Sequence, residues 1–243
     1  MSHDTPTSRR RFLLGVTTGA AALAGCASGN DGGDGGSGET GDGSGGGDSP
    51  TDGSTPTTTE SLLPPPVLGD PDASVTLAVY EDYACPHCAD YNRNGFAELQ
   101  SAYIESGDIR YEHRDAPIPV ADPGSWQAAS AARDVQARHG TDAFWDYAKK
   151  LFENSGSLGG DVGSLFERLA TDLGLGEAEA IAQAGVDRVH DPTVRADRQR
   201  ATELGVPGTP AFVIDGEVVT SGFGGGTIST VRSALDSALS ERA

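Results

Sequence analysis

The chain has 243 residues, 36% of them hydrophobic, with 36 acidic against 17 basic side chains and a formal net charge of -19. Two of the basic residues are lysines, Lys149 and Lys150, and the rest are arginines. So acidic a balance excludes the electrostatic attraction by which proteins hold nucleic acid or anionic lipid headgroups, and neither is expected as a partner.

Residues 1–25 read as an export signal. Ser8-Arg9-Arg10-Arg11-Phe12-Leu13-Leu14 resembles a twin-arginine signal, and the apolar run from Gly15 to Ala24 is well short of the ~20 residues a membrane span needs. Leu23-Ala24-Gly25-Cys26 resembles a lipobox, which would make Cys26 the lipidated first residue. Residues 26–62 are mostly Gly, Asp, Ser and Thr, too polar to offset the entropy of ordering, and are expected to form a disordered tether to the membrane. Residues 63–243 have normal hydrophobic content and are enough for one compact domain. The acidic, lysine-poor composition resembles that of proteins from salt-loving archaea.

Within the domain, β-branched and apolar residues predict a strand over 75–80. Cys85-Pro86-His87-Cys88 follows, and Tyr91, Leu99, Tyr103 and Ile104 at helical spacing predict a long helix over 86–106. A second strand is expected over 109–113, then a helical block over about 125–204 punctuated by Gly140, Gly156 and Gly174–Gly176. Asp215-Gly216 between Ala211–Ile214 and Glu217–Thr220 signals a hairpin, and Thr227 is expected to cap a last amphipathic helix carrying Ile228, Val231, Leu235 and Leu239. This order is an α/β pattern.

The chemistry sits in the two thiols of Cys85 and Cys88. A disulfide closing four residues adds almost nothing by loop entropy, so a structural staple explains the pair poorly. A C-x-x-C between a strand and a helix is a redox arrangement. Cys85 at the helix N-terminus meets unpaired N–H groups and the positive end of the dipole, which favour the thiolate nucleophile. His87, when protonated, would add positive charge. Cys85 is expected to be the exposed sulfur and Cys88 the resolving one.

Gly205-Val206-Pro207-Gly208-Thr209-Pro210 stands directly before the hairpin. Together with the CPHC run and the helical stretch from Ala131 through Phe144-Trp145-Asp146-Tyr147 to Phe152, it resembles the DsbA-like thiol:disulfide oxidoreductases of the thioredoxin superfamily, over about 70–240. The resemblance implies a thioredoxin-like α/β fold with a helical subdomain inserted at about 117–204. It implies a cis Pro210 against the cysteines and a Thr209 backbone turned outward to pair with a substrate peptide. It implies that a substrate thiolate attacks Cys85, that the Pro86-His87 dipeptide favours donating disulfides, and that the Cys85–Cys88 disulfide is the only redox group, without a further cofactor. Substrates would be cysteine-containing exported proteins, with an unidentified membrane partner reoxidising the pair.

The chain departs from that pattern in one respect. Such domains often carry a buried acid six residues before the first cysteine, and Val79 stands there. Glu81 and Asp82 are the substitutes for proton transfer, or else plain solvated carboxylates. His113, His139 and His190 read as surface or capping residues, and the cysteines with His87 and His113 lack the second spaced ligand pair a metal site usually shows, so no metal is expected. Trp126, Phe144, Trp145, Tyr147 and Phe152 read as core rather than a substrate groove, and Asp191–Arg200 as a solvated helix face. A reductase or isomerase kept reduced by a membrane partner shares every site residue; a peptide-binding chaperone module or a metal carrier would use the same surface without redox turnover.

Overall fold

The computed structural model describes residues 62–242. The export signal over 1–25, Cys26 with its lipidation, and all but the last residue of the 26–62 tether lie outside the described residues. Five strands, β1 (Val67–Gly69), β2 (Thr76–Glu81), β3 (Arg110–Asp115), β4 (Ala211–Ile214) and β5 (Glu217–Ser221), form one sheet in the order β1-β3-β2-β4-β5. The β2/β3 pair is parallel and the other three are antiparallel. β1 follows three prolines and is only three residues long, too short for an alternation to be read from it.

Helices α1 (Pro86–Asn94) and α2 (Phe96–Leu99), then a π-helical turn over Gln100–Ile104, carry the chain from β2 to β3. Helix α3 (Gly124–Glu153) is kinked at Gly140, and α4 (Val162–Asp172), α5 (Ala178–Val186) and α6 (Asp191–Glu203) complete the helical stretch between β3 and β4. Helix α7 (Thr227–Ser240) ends the domain.

β2 is the central strand, and both of its faces are covered. Leu77 and Val79 face a core with Tyr91, Leu99, Phe212, Val231 and Leu235, all fully buried. Ala78 and Tyr80 face Ala201, Val213 and Leu204 beneath α6. A strand enclosed on two sides carries an almost unbroken apolar run, which is why Val75–Tyr80 is so legible. The helical stretch packs a second core of Ala128, Ala132, Phe144, Leu151 and Phe166 against the turn that holds the cysteines.

The expected continuous helix over 86–106 is instead broken at Gly95. A Cβ there would stand 2.7 Å from a ring carbon of Phe223, so the close approach of that ring and the break go together. Thr227 is not the cap of α7. Gly226 holds that position at φ 91°, while Thr227 Oγ1 accepts the Gly224 N–H at 3.2 Å. The hairpin turns on Asp215 at φ 50° and Gly216 at φ 92°, the double positive pair of a type I′ turn.

Candidate active site

β2 delivers its last residue, Glu81, to a tight turn of Asp82, Tyr83 and Ala84 that ends on Cys85, the N-cap of α1. The turn is held by one carboxylate. Asp82 Oδ1 accepts the Ala84 N–H at 2.8 Å, and Oδ2 accepts the Ile118 N–H at 2.8 Å from the segment after β3. Burial pushes the Asp82 carboxyl up to about 6, against the pull of those two N–H groups. Asp82 is therefore a buried staple and not a solvated carboxylate.

The two sulfurs are free thiols with opposed tendencies. Cys85 is held down at about 5, chiefly because the Cys88 thiol donates to it; burial opposes this, and Thr209 and the N–H groups of Cys88 and His87 add to it. His87 thus contributes through its backbone, and its imidazole is exposed on α1 beside the equally exposed Pro86. Cys88 lies fully buried, and burial, followed by its donation to Cys85 and the Glu81 charge, pushes its thiol well above the ordinary range. The Asp82 N–H donates to Cys88 Sγ at 3.5 Å. One sulfur is set to be a thiolate at neutral pH and the other to keep its proton.

Cys85 was expected to be the exposed sulfur, yet the residue shows only 3% of its surface. The cover includes the segment before β4. The Thr209–Pro210 peptide is cis, and the Thr209 carbonyl lies 3.5 Å from Cys85 Sγ. Thr209 is itself buried, and its carbonyl accepts from Cys85 Sγ in the thiol form.

Glu81 is also buried, at 2% exposure, and is not a solvated carboxylate. Asn92 Nδ2 donates to Glu81 Oε1 at 2.7 Å and to the Cys88 carbonyl at 3.0 Å, which ties the acid to the cysteine helix. His113, read from sequence as a surface or capping residue, is fully enclosed between Glu81 and Asp115, with ring contacts to Tyr83, Phe144 and Trp145. Behind it Arg133, also fully buried, bonds Asp115 at 2.6 Å and Asp197 at 2.7 Å. Asp197 corrects the reading of 191–200 as a wholly solvated face, since Thr193, Val194 and Asp197 turn inward. Asp115, Arg133, Asn92 and Asp197 were missed from sequence. The available signal was period two along β3, where Tyr111, His113 and Asp115 share the inward face.

Phe144, Tyr147 and Phe152 are core residues, and Trp145 packs partly buried beside them. Trp126 lies under the guanidinium groups of Arg188 and Arg195, at 4.8 and 5.1 Å from its ring centre. His190 bonds Asp134 at 3.1 Å, and His139 contacts the Gly176 carbonyl.

A thioredoxin family model matches residues 62–236. Disulfide bond formation protein D of Bacillus subtilis is 37% identical over 93 residues, which are 38% of this chain and 40% of that protein. The Na(+)/H(+) antiporter NhaA 1 of a Mycobacterium species is 31% identical over 156 residues, which are 62% of this chain and 23% of the antiporter. The chain thus spans well under half the length of these relatives. Among solved structures, oxidised BdbD from Bacillus subtilis superimposes with a TM-score of 0.64 at 24% identity, over 72% of this chain and 93% of that one. That likeness is one of fold: a thioredoxin-like sheet with inserted helices.

Proposed function

The chain belongs to the thioredoxin family, and on that premise we propose that it is a thiol:disulfide oxidoreductase that oxidises the thiols of exported proteins outside the cytoplasm. The observation that carries this reading is the split between the two sulfurs. Cys85 is held down at about 5 and Cys88 is pushed up. Each unit by which the attacking thiol falls below ambient pH favours the reduced form and raises the potential by about 30 mV. A pair so arranged gives up its disulfide readily.

In the proposed cycle a substrate thiolate attacks Cys85 Sγ and the Cys85–Cys88 bond breaks. The Cys88 sulfur leaves with the electron pair and takes up a proton. A second substrate thiolate then attacks the substrate sulfur of the mixed disulfide, and Cys85 leaves as a thiolate. Two electrons have passed from the substrate dithiol to the cysteine pair. Thr209 and Pro210 border the approach to Cys85, and Glu81 is the stronger candidate for the Cys88 proton, because its charge acts on the Cys88 thiol and Asn92 joins it to the Cys88 carbonyl. Asp82, already committed to two backbone N–H groups, is the weaker one. The sulfur pair is the redox group, and a disulfide-bearing or other two-electron oxidant at the membrane regenerates it. Export on the signal over 1–25 and lipid anchoring through Cys26 belong to the same proposal and rest on the sequence alone.

The test is the reduction potential of Cys85–Cys88 in the full chain carrying Cys26→Ser, equilibrated in glutathione buffers at high salt. A potential well above the glutathione couple is expected. One near or below that of thioredoxin, about -270 mV, would replace the oxidase reading with a reductase fed by a partner.

A further inference from the structure

A line of buried charge leads away from Cys88, and the reaction as written leaves most of it unused. At the near end Asn92 bridges the Cys88 carbonyl and Glu81 Oε1. Glu81 Oε2 then lies 3.4 Å from His113 Nδ1, an ionic contact and not a well-formed hydrogen bond. On the other side His113 Nε2 lies 3.2 Å from Asp115 Oδ1 and 3.3 Å from the Tyr83 hydroxyl. Asp115 is anchored by Arg133, and Arg133 by Asp197.

The two acids flanking His113 are not equivalent. Asp115 has the Arg133 guanidinium, and although burial pushes its carboxyl up, Arg133 and His113 together hold it at about 2. Among the described residues Glu81 has no arginine partner and His113 is its cationic neighbour, and burial, the larger influence, pushes it up. Burial alone would make His113 neutral, but the flanking carboxylates carry it to about 9. A buried ion pair is weak evidence for stability as such. This one puts its cation against the acid that Asn92 joins to the Cys88 carbonyl.

We propose that His113 is a positioning residue of the redox centre, acting through Glu81 to govern when Cys88 gives up or takes back its proton. This rests on the oxidoreductase reading above. In the direction of disulfide formation, the Cys88 proton passes to the Glu81 carboxylate as the Cys88 sulfur attacks Cys85 in a mixed disulfide. The Cys85–Cys88 bond forms and the partner sulfur leaves with the electron pair as a thiolate. Burial pushes Glu81 up, and the imidazolium opposes that push and favours the accepting carboxylate; without it only the Asn92 hydrogen bond opposes burial, and the protonated form, which cannot accept, gains. Other groups that act on this pair are Cys85, Cys88 and Tyr91 from α1 and its cap, Tyr111 and Asp115 from β3, Arg133 from α3, and Tyr83 from the turn.

The test follows oxidation of the reduced full chain, carrying Cys26→Ser, by excess glutathione disulfide. Tryptophan fluorescence reports the rate across pH, with the Cys88 step made limiting. His113→Gln is expected to move the pH midpoint of that step upward by about one unit, an approximately tenfold slowing below the midpoint. In a Glu81→Gln background the same substitution is expected to change nothing further, because it acts through the missing carboxylate. An unmoved midpoint, or independent and multiplying effects of the two substitutions, overturns the inference. If His113→Gln does not fold, the ring nitrogens of His113 in the unsubstituted chain are titrated by NMR. An imidazolium at pH 7 in the reduced protein is expected, and a neutral ring there overturns the inference. A chain inert to glutathione would sink the oxidoreductase reading together with this one. Normal exchange with an unmoved midpoint would sink the role of His113 alone.

Discussion

Arg133 Nε lies 2.6 Å from Asp115 Oδ2, and both side chains are closed to solvent, on a helix and a strand 18 residues apart. The same guanidinium reaches Asp197 on α6 through Nη2, and Gln136 and the Pro64 carbonyl through Nη1. One cation thus joins β3, two helices and the entry to β1. Arg133→Met would leave two buried carboxylates without the cation they share, with His113 at Asp115 and Arg114 at Asp197. Removing one partner from such a site costs about 3–5 kcal/mol. Chemical denaturation at pH 7 should show a loss of that size. A loss under 1 kcal/mol would mean that water, or Arg114 already 2.9 Å from Asp197, takes over.

The Cys85 thiolate gives the second prediction. Held at about 5 against an ordinary 9.0, it should be half ionised near pH 5, visible as thiolate absorbance in the ultraviolet that Cys85→Ser abolishes. The sign of the linkage follows. A group whose folded value is depressed contributes stability fully present above the unfolded value and lost as pH falls through the folded one. The reduced protein should therefore gain on the oxidised one as pH rises from about 5 to about 9, and the advantage should vanish below 5. A thiolate titrating near 8 or 9 would remove the basis for an oxidising potential.

These predictions lean unequally on what the sequence makes legible. The strand before Cys85, the hairpin at Asp215-Gly216 and the cysteine pair on a helix start all follow from local chemistry, because turn residues and unpaired N–H groups act over a few positions. The buried charges do not. Asp197 looks solvated because its helix is rich in Arg and Asp, and only the packing of α6 against β3 turns it inward. His113 stands in Arg-Tyr-Glu-His-Arg-Asp, where alternation puts Tyr111, His113 and Asp115 on one face, yet nothing local says that this is the covered one. That information belongs to Arg133, 20 residues downstream of His113, and to the parallel pairing with β2, which sets His113 opposite Val79 and Asp115 opposite Glu81. The break at Gly95 is of the same kind, since the ring that crowds it, Phe223, lies beyond β5.

Gly124, the first residue of α3, tests how tightly the helical stretch is seated. A Cβ there would lie 1.9 Å from the Leu158 carbonyl oxygen, a backbone atom that cannot swing away. Gly124→Ala should cost about 1–3 kcal/mol by overpacking, measured by thermal or denaturant unfolding. An unchanged midpoint would show that the segment around Leu158 moves freely.

Asp82 separates a structural from a proton-transfer role three residues before Cys85. Its carboxylate accepts the Ala84 and Ile118 N–H groups, bonds to an ionised acceptor that are worth about 1.5–3 kcal/mol each. Asp82→Ala should therefore destabilise both redox states alike, by a few kcal/mol. Its pH dependence has a definite sign. Burial raises the carboxyl from 3.8 to about 6, so the contribution tied to its protonation is fully present below pH 3.8 and is lost as pH rises through 6. The loss is on the order of 3 kcal/mol. The stability gap between the unsubstituted chain and Asp82→Ala should narrow across that window and then stay level. If instead the gap is constant with pH while the Cys88 step in glutathione slows at least tenfold, Asp82, and not Glu81, is the group that exchanges the Cys88 proton.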